Sequence, residues 1–596
     1  MKVEGTARRL LLQGSVLIVV LLLYCWPALR TRAELGSALP PAFAPDLSMY
    51  IALSSPPTAD MHETQNPYYL VPVAQLSTGY LRFRLAPWLF SKVRAQVPGR
   101  LWMCVFVWNL LCWAALGVLA TYFFDRSLPR RQLELVVLGV ALFMLFNFSS
   151  LRPLFFAWLH LPSLAGFRTI ELPFMRAFIP VMPTIILMSY LILQIEALRK
   201  KGEALTIWMI MAVLQFLALA MFPYATLMMA GLTAIAVLGG RYLFVKRNAF
   251  LTVVAYGIVC GIIDAAFAMS GPLGFYNEHS SSLIHFQPSL LPHLIGGNFL
   301  LLGLLVLAVA LGRDIESEVK WPLIGLGVSN LLLLLGDAVI PAKSVLLSHH
   351  AGYFVSPVTS ILILFALLAA YPGMQAGASI PGRVAVVVAV AVILTGFLVS
   401  VGLYRSWRPY NKQTSELAEL RAGSLKPEEG DLVIARSRDV DDSCGWIFLL
   451  FKAPVLYCTD AQVMLTPQQN LEVHRFREAI YLYLTGEDRV TLDQRLRGPK
   501  RLDTLYSLGY WAEAVSPSPA EQDEGVQAAE NQIAPWLERI EHGDPAVGEF
   551  FRGFRRIVVI DDIERPTFVQ TRLVSLLKSQ AGLQRANLKV EVFVPK

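Results

Sequence analysis

The first 404 residues form a succession of apolar runs, and this feature constrains the fold more than any other. A helix needs about 20 apolar residues to cross the hydrocarbon core of a bilayer. Because Leu205–Leu238 is too long for one span, we divide it at Pro223, where a helix can start. The runs then lie at 10–29, 101–124, 133–150, 177–196, 204–221, 223–240, 249–269, 294–312, 321–340, 354–371 and 383–404. The sequence therefore predicts an α-helical transmembrane bundle of about 11 helices.

Composition agrees with this fold class and marks one boundary. The chain is 55% apolar and 16% charged, whereas about 25% of residues are charged in an ordinary soluble chain. The deficit lies in residues 1–404, and residues 405–596 have the composition of a soluble domain. The net charge of +7 comes from basic residues placed between apolar runs. We interpret this charge as membrane topology and expect no nucleic-acid partner.

The distribution of lysine and arginine predicts the orientation. If the N-terminus is cytoplasmic, the short outer loops hold four basic residues, Arg152, Arg168, Arg176 and Lys343. The inner segments then hold fifteen, namely Lys2, Arg8, Arg9, Arg126, Arg130, Arg131, Arg199, Lys200, Lys201, Arg241, Lys246, Arg247, Arg313, Lys320 and Arg383. Because basic residues accumulate in cytoplasmic loops, we predict a multi-pass protein of the cell (inner) membrane with its C-terminal domain outside. A cleaved signal peptide at 10–29 stays an alternative, although no small-x-small cleavage site follows it closely.

The connection between the first two predicted helices, residues 30–100, is much longer than most others. Loops of this length in compact proteins are functional or disordered. This loop is rich in aromatic residues, including Tyr50 and Tyr68, so it has the apolar content to fold on the membrane surface. Its basic and apolar residues alternate over 81–94, which predicts an interfacial amphipathic helix.

Acidic residues come early in this loop. Asp46 follows Pro45 in the sequence Phe-Ala-Pro-Asp-Leu-Ser-Met-Tyr, which ends at Tyr50, and Asp60 and Glu63 follow before an Asn-Pro-Tyr-Tyr sequence that contains Tyr68. A long first outer loop with an early aspartate, amphipathic helices, a many-helix bundle and an outer C-terminal domain together resemble the GT-C class of membrane glycosyltransferases. The resemblance covers the layout of the whole chain, and no specific family within the class is matched.

This resemblance implies a polyprenyl-phosphate-linked sugar as donor and a glycan, lipid or protein as acceptor, with inversion at the anomeric carbon. A carboxylate must take the acceptor's proton as the anomeric carbon is attacked. We assign that role first to Asp46, with Asp60 and Glu63 behind it. Glu171 resembles the second acidic position of some class members. The alternative for Asp46 is an N-cap of a helix that starts at Leu47.

A departing phosphate needs fixed positive charge. The second outer loop contains three arginines, Arg152, Arg168 and Arg176, although basic residues accumulate in cytoplasmic loops. They are the candidate phosphate contacts. The alternative is that these arginines snorkel to lipid headgroups. Candidate substrate contacts also include Tyr50, Tyr68, His279 and His285. The histidine spacing does not match a zinc site; no metal ligand is predicted, and use of a divalent metal stays open.

The C-terminal region has the pattern of a small α/β domain. Asp431–Arg436, Arg556–Asp561 and Leu588–Val594 are predicted strands, whereas Asn470–Leu484 and Phe568–Leu577 have helical spacing. No glycine-rich phosphate loop is present, which argues against nucleotide binding. By resemblance, this domain supports the site or binds the acceptor. Whether Cys444 pairs with Cys458 stays open.

Three other function classes remain. A transporter or flippase of lipid-linked glycans would be expected to show internal repeats and paired interrupted spans, and neither is visible in the sequence. A glycan polymerase or ligase would be expected to use a loop late in the chain. A non-enzymatic membrane protein for envelope assembly would not need Asp46. The glycosyltransferase is the first hypothesis.

Overall fold

The computed structural model describes residues 2–36, 39–43, 47, 51, 85–96, 101–126, 133–146, 172–175, 181–200, 205–221, 223–239, 254–260, 262, 298–339, 355–370, 379–421, 423–428, 430–435, 443–457, 471–508, 519–563, 566–585 and 588–595. This part is mostly helical. The N-terminal helices are α1 (Lys2–Leu35), α2 (Leu85–Gln96), α3 (Leu101–Arg126), α4 (Leu133–Leu145), α5 (Met182–Arg199), α6 (Leu205–Met221), α7 (Pro223–Gly239), α8 (Phe299–Leu311), α9 (Ser317–Val339), α10 (Ser356–Ala370) and α11 (Ser379–Leu420). Residues 254–260 are also helical.

Four described helices contain segments that are long and apolar enough to cross a membrane: Leu11–Leu35, Leu101–Arg126, Met182–Arg199 and Arg383–Leu420. Shorter apolar helices in the described part are Leu133–Leu145, Leu205–Ala218, Met228–Gly239 and Ser356–Ala370. Each predicted apolar run contains helical residues. The division at Pro223 stays a prediction, because residue 222, between α6 and α7, lies outside the described residues. A mostly helical fold with four candidate membrane spans is thus confirmed, and the number of crossings stays a prediction.

Exposed apolar faces support a membrane environment. On α11, Val387, Leu394 and Leu398 are 68%, 60% and 69% exposed. They recur at helical spacing, so they form one stripe. A soluble chain rarely leaves so large an apolar surface in water. This face therefore fits contact with lipid chains.

Helix α11 runs parallel to α1. The Ser400 hydroxyl donates to the Leu23 carbonyl at 2.8 Å. Arg408 forms an ion pair with Glu34 at 2.5 Å, so the second contact lies further toward the C-terminus in both helices. The C-terminal end of α1 and the C-terminal end of α11 therefore lie at the same end of the bundle. We name this the Leu35 end. Helix α11 also continues without a break through the predicted domain boundary at 404–405.

The opposite end carries charged residues from three connections. Arg199, at the end of α5, donates to Glu316 at 2.7 Å and to the Arg126 carbonyl at 3.2 Å. Helix α3 is antiparallel to α1, since Gln13 donates to Asp125 here at 3.2 Å. We name this the Arg199 end.

Helices α7 and α9 approach closely because small residues face each other. A Cβ atom at Gly325 would lie 2.8 Å from the Leu232 carbonyl, and one at Gly231 would lie against the Ser329 hydroxyl. Gly325 and Ser329 are four residues apart, the small-xxx-small spacing by which membrane helices pack. Shape complementarity of backbones thus joins these two helices.

A buried chain of hydrogen bonds joins α5, α6, α7 and helical residues 254–260. Tyr190 bonds Thr233 at 2.6 Å and also bonds Tyr256. Thr233 donates to Gln194 at 2.9 Å, and Tyr256 donates to Gln215 at 2.7 Å. Interhelical hydrogen bonds of this kind stabilise helix association in lipid.

The C-terminal domain contains a four-stranded sheet in the order β1-β2-β4-β3. Its strands are β1 (Leu432–Ala435), β2 (Ile557–Asp562), β3 (Leu577–Arg585) and β4 (Leu588–Pro595). Strands β1 and β2 are parallel, and β4 is antiparallel to both of its neighbours. Its helices are α12 (Ser443–Phe451), α13 (Leu471–Leu484), α14 (Arg489–Arg497), α15 (Arg501–Ser507), α16 (Pro519–Gln532), α17 (Ala534–Glu541), α18 (Pro545–Arg552) and α19 (Gln570–Leu576).

The sheet is buried on both faces. Successive side chains of a strand point to opposite faces of the sheet, and those of β1 enter two different apolar clusters. Leu432 and Ile434 pack into one apolar cluster, whereas Val433 and Ala435 pack into another. The three predicted strands and both predicted helices are confirmed within a few residues. Strand β3 was not predicted.

Candidate functional site at the Leu35 end

All of the site residues predicted from the sequence lie outside the described residues: Asp46, Tyr50, Asp60, Glu63, Tyr68, Arg152, Arg168, Glu171, Arg176, His279 and His285. Cys458 also lies outside, so a pairing with Cys444 is not addressed. By contrast, the predicted amphipathic helix is observed in part as α2. Its Phe90 is buried and packs edge-on against Trp108, with 5.9 Å between the ring centroids.

The residues on either side of Asp46 are anchored to the bundle. Phe43 and Ile51 are buried in the main apolar cluster, and Leu47 is half-buried against it. Leu47 and Ile51 are both helical. Described residues on both sides of position 46 therefore pack against the bundle.

Asn411 of α11 binds both backbone groups of Ala42. The Ala42 N–H donates to Asn411 Oδ1 at 2.7 Å, and Asn411 Nδ2 donates to the Ala42 carbonyl at 2.9 Å. Asn411 Nδ2 also donates to the Trp407 carbonyl at 3.0 Å, and the side chain is buried. Two hydrogen bonds to one residue fix both its position and its orientation, so α11 sets where the loop segment starts.

Arg32 provides positive charge at the same end. Its guanidinium lies over the ring of Trp102, 5.2 Å from the centroid. Its Nη1 atom is buried and has no hydrogen-bond partner in the described part of the chain. A buried, unpaired guanidinium N–H is costly and is suited to a carboxylate or phosphate oxygen. Sequence reasoning missed Arg32, because a basic residue just after a span is usually a topology signal.

A second contact couples α1 to α11 beside this position. Glu34 accepts hydrogen bonds from Arg408 and from the Tyr404 hydroxyl. Ion pairs between exposed side chains contribute little to stability on their own. Here the pair fixes the register of two parallel helices just where the first loop begins.

The C-terminal domain joins the bundle through α12. Trp446 is fully buried within the main apolar cluster, and its indole N–H donates to the Tyr410 hydroxyl at 2.8 Å. Tyr410 precedes Asn411, so adjacent residues of α11 hold the C-terminal domain and the loop segment. Lys452 follows α12 with a left-handed φ of 60°. Burial, and then the charge of Arg94 in α2, lower the pKa of Lys452.

The arrangement brings basic groups from three parts of the chain to the Leu35 end. Arg32, Arg94 and Lys452 are the cations identified near this end, and they come from α1, α2 and the C-terminal domain. Such a combination can bind an anionic group. No group of histidine, cysteine, aspartate or glutamate that could hold a metal ion is found among the described residues. No family model matches the chain, and no curated protein matches it.

Proposed function

We propose that the chain is a membrane glycosyltransferase that moves a sugar from a polyprenyl-phosphate donor to a glycan, lipid or protein acceptor. The observation that carries the proposal is the anchoring of both flanks of Asp46 at the Leu35 end, by Asn411 and by burial of Phe43 and Ile51. A catalytic carboxylate must be held within a fraction of an ångström of its working position. The contacts of Ala42, Phe43 and Ile51 restrain described residues on both sides of position 46, which supports this role.

In this proposal Asp46 is the general base. It accepts the proton of the acceptor hydroxyl while the acceptor oxygen forms a bond to the anomeric carbon. The bond between that carbon and the phosphate oxygen breaks, and the polyprenyl phosphate leaves with the electron pair. Attack from the opposite side inverts the anomeric carbon. Asp60, Glu63 and Glu171 remain secondary candidates for acidic roles.

Positive charge stabilises the departing phosphate. Arg32 supports this step, because a buried N–H of its guanidinium is without a partner among the residues described. Arg152, Arg168 and Arg176 remain candidates from the sequence, with Tyr50, Tyr68, His279 and His285 as further contacts. A phosphate oxygen gains more from a charged donor than from a neutral one.

The proposal places the site on the non-cytoplasmic face of a multi-pass inner-membrane protein. Support comes from the charge distribution of the sequence and from the parallel course of α1 and α11, which brings the first loop and the C-terminal domain to one end of the bundle. The proposed number of crossings is about 11. The C-terminal domain, joined through Trp446, binds the acceptor or supports the loop segment.

A flippase for lipid-linked glycans is the second candidate. The buried hydrogen-bonded chain through Tyr190 and Tyr256 favours it, because polar groups inside membrane helices mark substrate paths. The candidate is weaker, since the central parts of the described apolar helices contain no lysine, arginine, aspartate or glutamate. An anionic lipid phosphate crossing between these helices would therefore meet no opposite charge.

The test is Asp46→Asn in the native host, with glycans and glycolipids compared by mass spectrometry at matched protein levels. We expect loss of one sugar addition and accumulation of its unmodified acceptor. Asp314→Asn, at an exposed position by the Arg199 end, is the matched control and should leave products unchanged. An unchanged product spectrum for Asp46→Asn would refute the assigned base. Accumulation of a complete lipid-linked glycan would favour the flippase.

A further inference from the structure

The exposed apolar stripe of α11 continues into basic residues at the Leu35 end. Leu398 belongs to that stripe, Arg405 follows seven residues later, and Lys412 follows after another seven. Both basic residues are exposed, and Lys412 adds no net charge because it pairs with Glu416 at 3.9 Å. Since a spacing of seven residues keeps side chains on one face of a helix, the exposed face of α11 changes from apolar to basic after Leu398.

The uncharged part of α11 is about as long as a bilayer core is thick. No charged residue lies between Arg383 and Arg405 in the sequence, and α11 is helical throughout this stretch. Their separation of about 22 residues corresponds to about 33 Å at about 1.5 Å per residue, compared with a hydrocarbon thickness of about 30 Å. Arg405 therefore lies at the depth of the lipid headgroups when α11 crosses a bilayer.

Helix α1 brings aromatic and basic residues to the same level. The predicted apolar run of α1 carries no charge, and Arg30 follows it directly. The Trp26 ring packs edge-on against the rings of Phe397 and Tyr404 in α11, with centroid distances of 5.9 and 5.7 Å. Tryptophan and tyrosine are enriched at the interface between membrane and water, so this aromatic cluster marks the same boundary as Arg405.

Three arginines and one carboxylate lie where α1 and α11 meet. Glu34 accepts a hydrogen bond from Arg408 at 2.6 Å. Arg30 lies one turn before Glu34 in α1 and acts on it electrostatically, and Arg405 lies one turn before Arg408 in α11. The three guanidinium groups and one carboxylate leave two positive charges uncompensated among these four side chains.

This combination fits an anionic phospholipid. Leu22 and Leu29 of α1 are exposed, as are Leu394 and Leu398 of α11, and they provide apolar surface for acyl chains on both helices. Guanidinium groups bind phosphate oxygens through paired N–H donors. Because the excess charge is positive, a headgroup with a net negative charge is favoured over a zwitterionic one.

We propose that Arg30, Arg405 and Arg408 bind the headgroup of an anionic bilayer phospholipid at the seam between α1 and α11. The arginines hold its phosphate, and its acyl chains lie along the exposed apolar faces of the two helices. The lipid thereby joins the helix ends from which the first loop and the C-terminal domain continue. The site does not depend on the proposed glycosyl transfer.

The test is native mass spectrometry of the full-length chain in detergent, which resolves individual bound lipids. The probes are phosphatidylglycerol and phosphatidylcholine with identical acyl chains, and a short-chain polyprenyl monophosphate. We expect the first phosphatidylglycerol to bind at least about fivefold more tightly than phosphatidylcholine, because about 1 kcal/mol is gained per basic residue at an anionic surface. Equal affinities for the two phospholipids would overturn the proposal. A polyprenyl monophosphate that binds more tightly than phosphatidylglycerol would overturn the assigned occupant.

Two variants separate this site from a general effect of protein charge. Arg405→Gln should fold, because Arg405 is exposed, and it should bind phosphatidylglycerol about fivefold more weakly. Arg552→Gln is the matched control, because it removes the same charge from an exposed position of α18 in the C-terminal domain. It should keep wild-type affinity. Unchanged phosphatidylglycerol affinity in Arg405→Gln, or an equal loss in both variants, would contradict the site.

Discussion

At the scale of single residues, Asn411 has the clearest role. Its amide makes the same pair of hydrogen bonds to Ala42 that a neighbouring strand would make. Both backbone groups of Ala42 are in the apolar interior, since Ala42 is 0% exposed. Any side chain without an amide at position 411 would leave these groups unpaired.

We predict that Asn411→Leu loosens the start of the loop segment. Two buried backbone groups would lose their partners, at a cost of about 1–3 kcal/mol each. Hydrogen exchange at residues 39–43 should become at least tenfold faster, while exchange in α5 is unchanged. Thr395→Val is the control, because the Thr395 hydroxyl donates to the Ala391 carbonyl one turn earlier in the same helix, at an exposed position. Equal protection at Ala42 in wild type and Asn411→Leu would show that the clamp is not needed.

His474 is a second residue with a measurable consequence. It is buried beneath Tyr457, with ring centroids 5.7 Å apart, and neither ring nitrogen has a partner in the part of the domain described. Burial, followed by the charges of Arg475 and Arg477, holds its pKa well below the usual range. Arg475 is itself paired with Glu478 at 2.5 Å. A proton on His474 would thus add a third positive charge to a buried cluster.

We predict that the C-terminal domain becomes less stable as pH falls below about 6.5, the pKa of histidine in an unfolded chain. There the unfolded state binds a proton that the folded state does not, so the free energy of unfolding falls by about 1.4 kcal/mol per pH unit. The loss ends when pH reaches the lowered folded-state pKa. Above pH 6.5 this contribution is fully present.

The measurement is urea unfolding of the detergent-solubilised chain at pH 7.5 and 5.5, followed by circular dichroism. His474→Phe removes the titrating ring and leaves no polar group unpaired, so it should fold at pH 7.5. Its stability should fall by about 1.4 kcal/mol less than that of wild type between the two pH values. Identical pH dependence in the two proteins would exclude His474 as the cause.

At the scale of elements, the contact between α7 and α9 depends on the absence of side chains. We predict that Gly325→Ala destabilises the bundle by about 1–3 kcal/mol, because its Cβ would lie 2.8 Å from the Leu232 carbonyl and the helices would have to separate. Gly303→Ala in α8 is the control. Nothing lies within 4 Å of a Cβ there, so the variant should gain up to about 1 kcal/mol from helix propensity. Thermal unfolding in one detergent compares them, and a stabilised Gly325→Ala would contradict the packing described.

The elements themselves were largely predictable. Helices follow from apolar runs because backbone groups in lipid must bond within their own segment. Strands β1 and β2 follow from β-branched runs, such as Val558 and Val559, that are buried on both faces. Strand β3 was missed because Leu577–Arg585 contains Lys, Ser, Gln, Gly and Arg with little alternation. It is an edge strand, and only its pairing with β4 defines it.

At the scale of the whole molecule, the contacts that define the candidate site could not be read from local patterns. Asn411 and Ala42 are 369 residues apart, and no periodicity connects them. The acidic residue Asp46 was selected from the chemistry of the reaction, whereas Arg32 became a candidate only when its stacking on Trp102 and its unpaired nitrogen were seen. Helix α11 joins the two parts of the chain, because it binds the loop through Asn411 and the C-terminal domain through Tyr410.

Under the proposed function, the loop carrying Asp46 and the C-terminal domain lie together on the non-cytoplasmic side of the membrane. The most direct measurement is labelling of single cysteines with a membrane-impermeant maleimide in intact cells, in a chain whose six native cysteines are replaced by alanine. Exposed positions are available at Ala33, Ser575, Lys200 and Asp314. We predict labelling of Ala33→Cys and Ser575→Cys in intact cells, and of Lys200→Cys and Asp314→Cys only after lysis. Labelling of Ala33→Cys and Ser575→Cys from opposite sides, or of both only after lysis, would contradict the account.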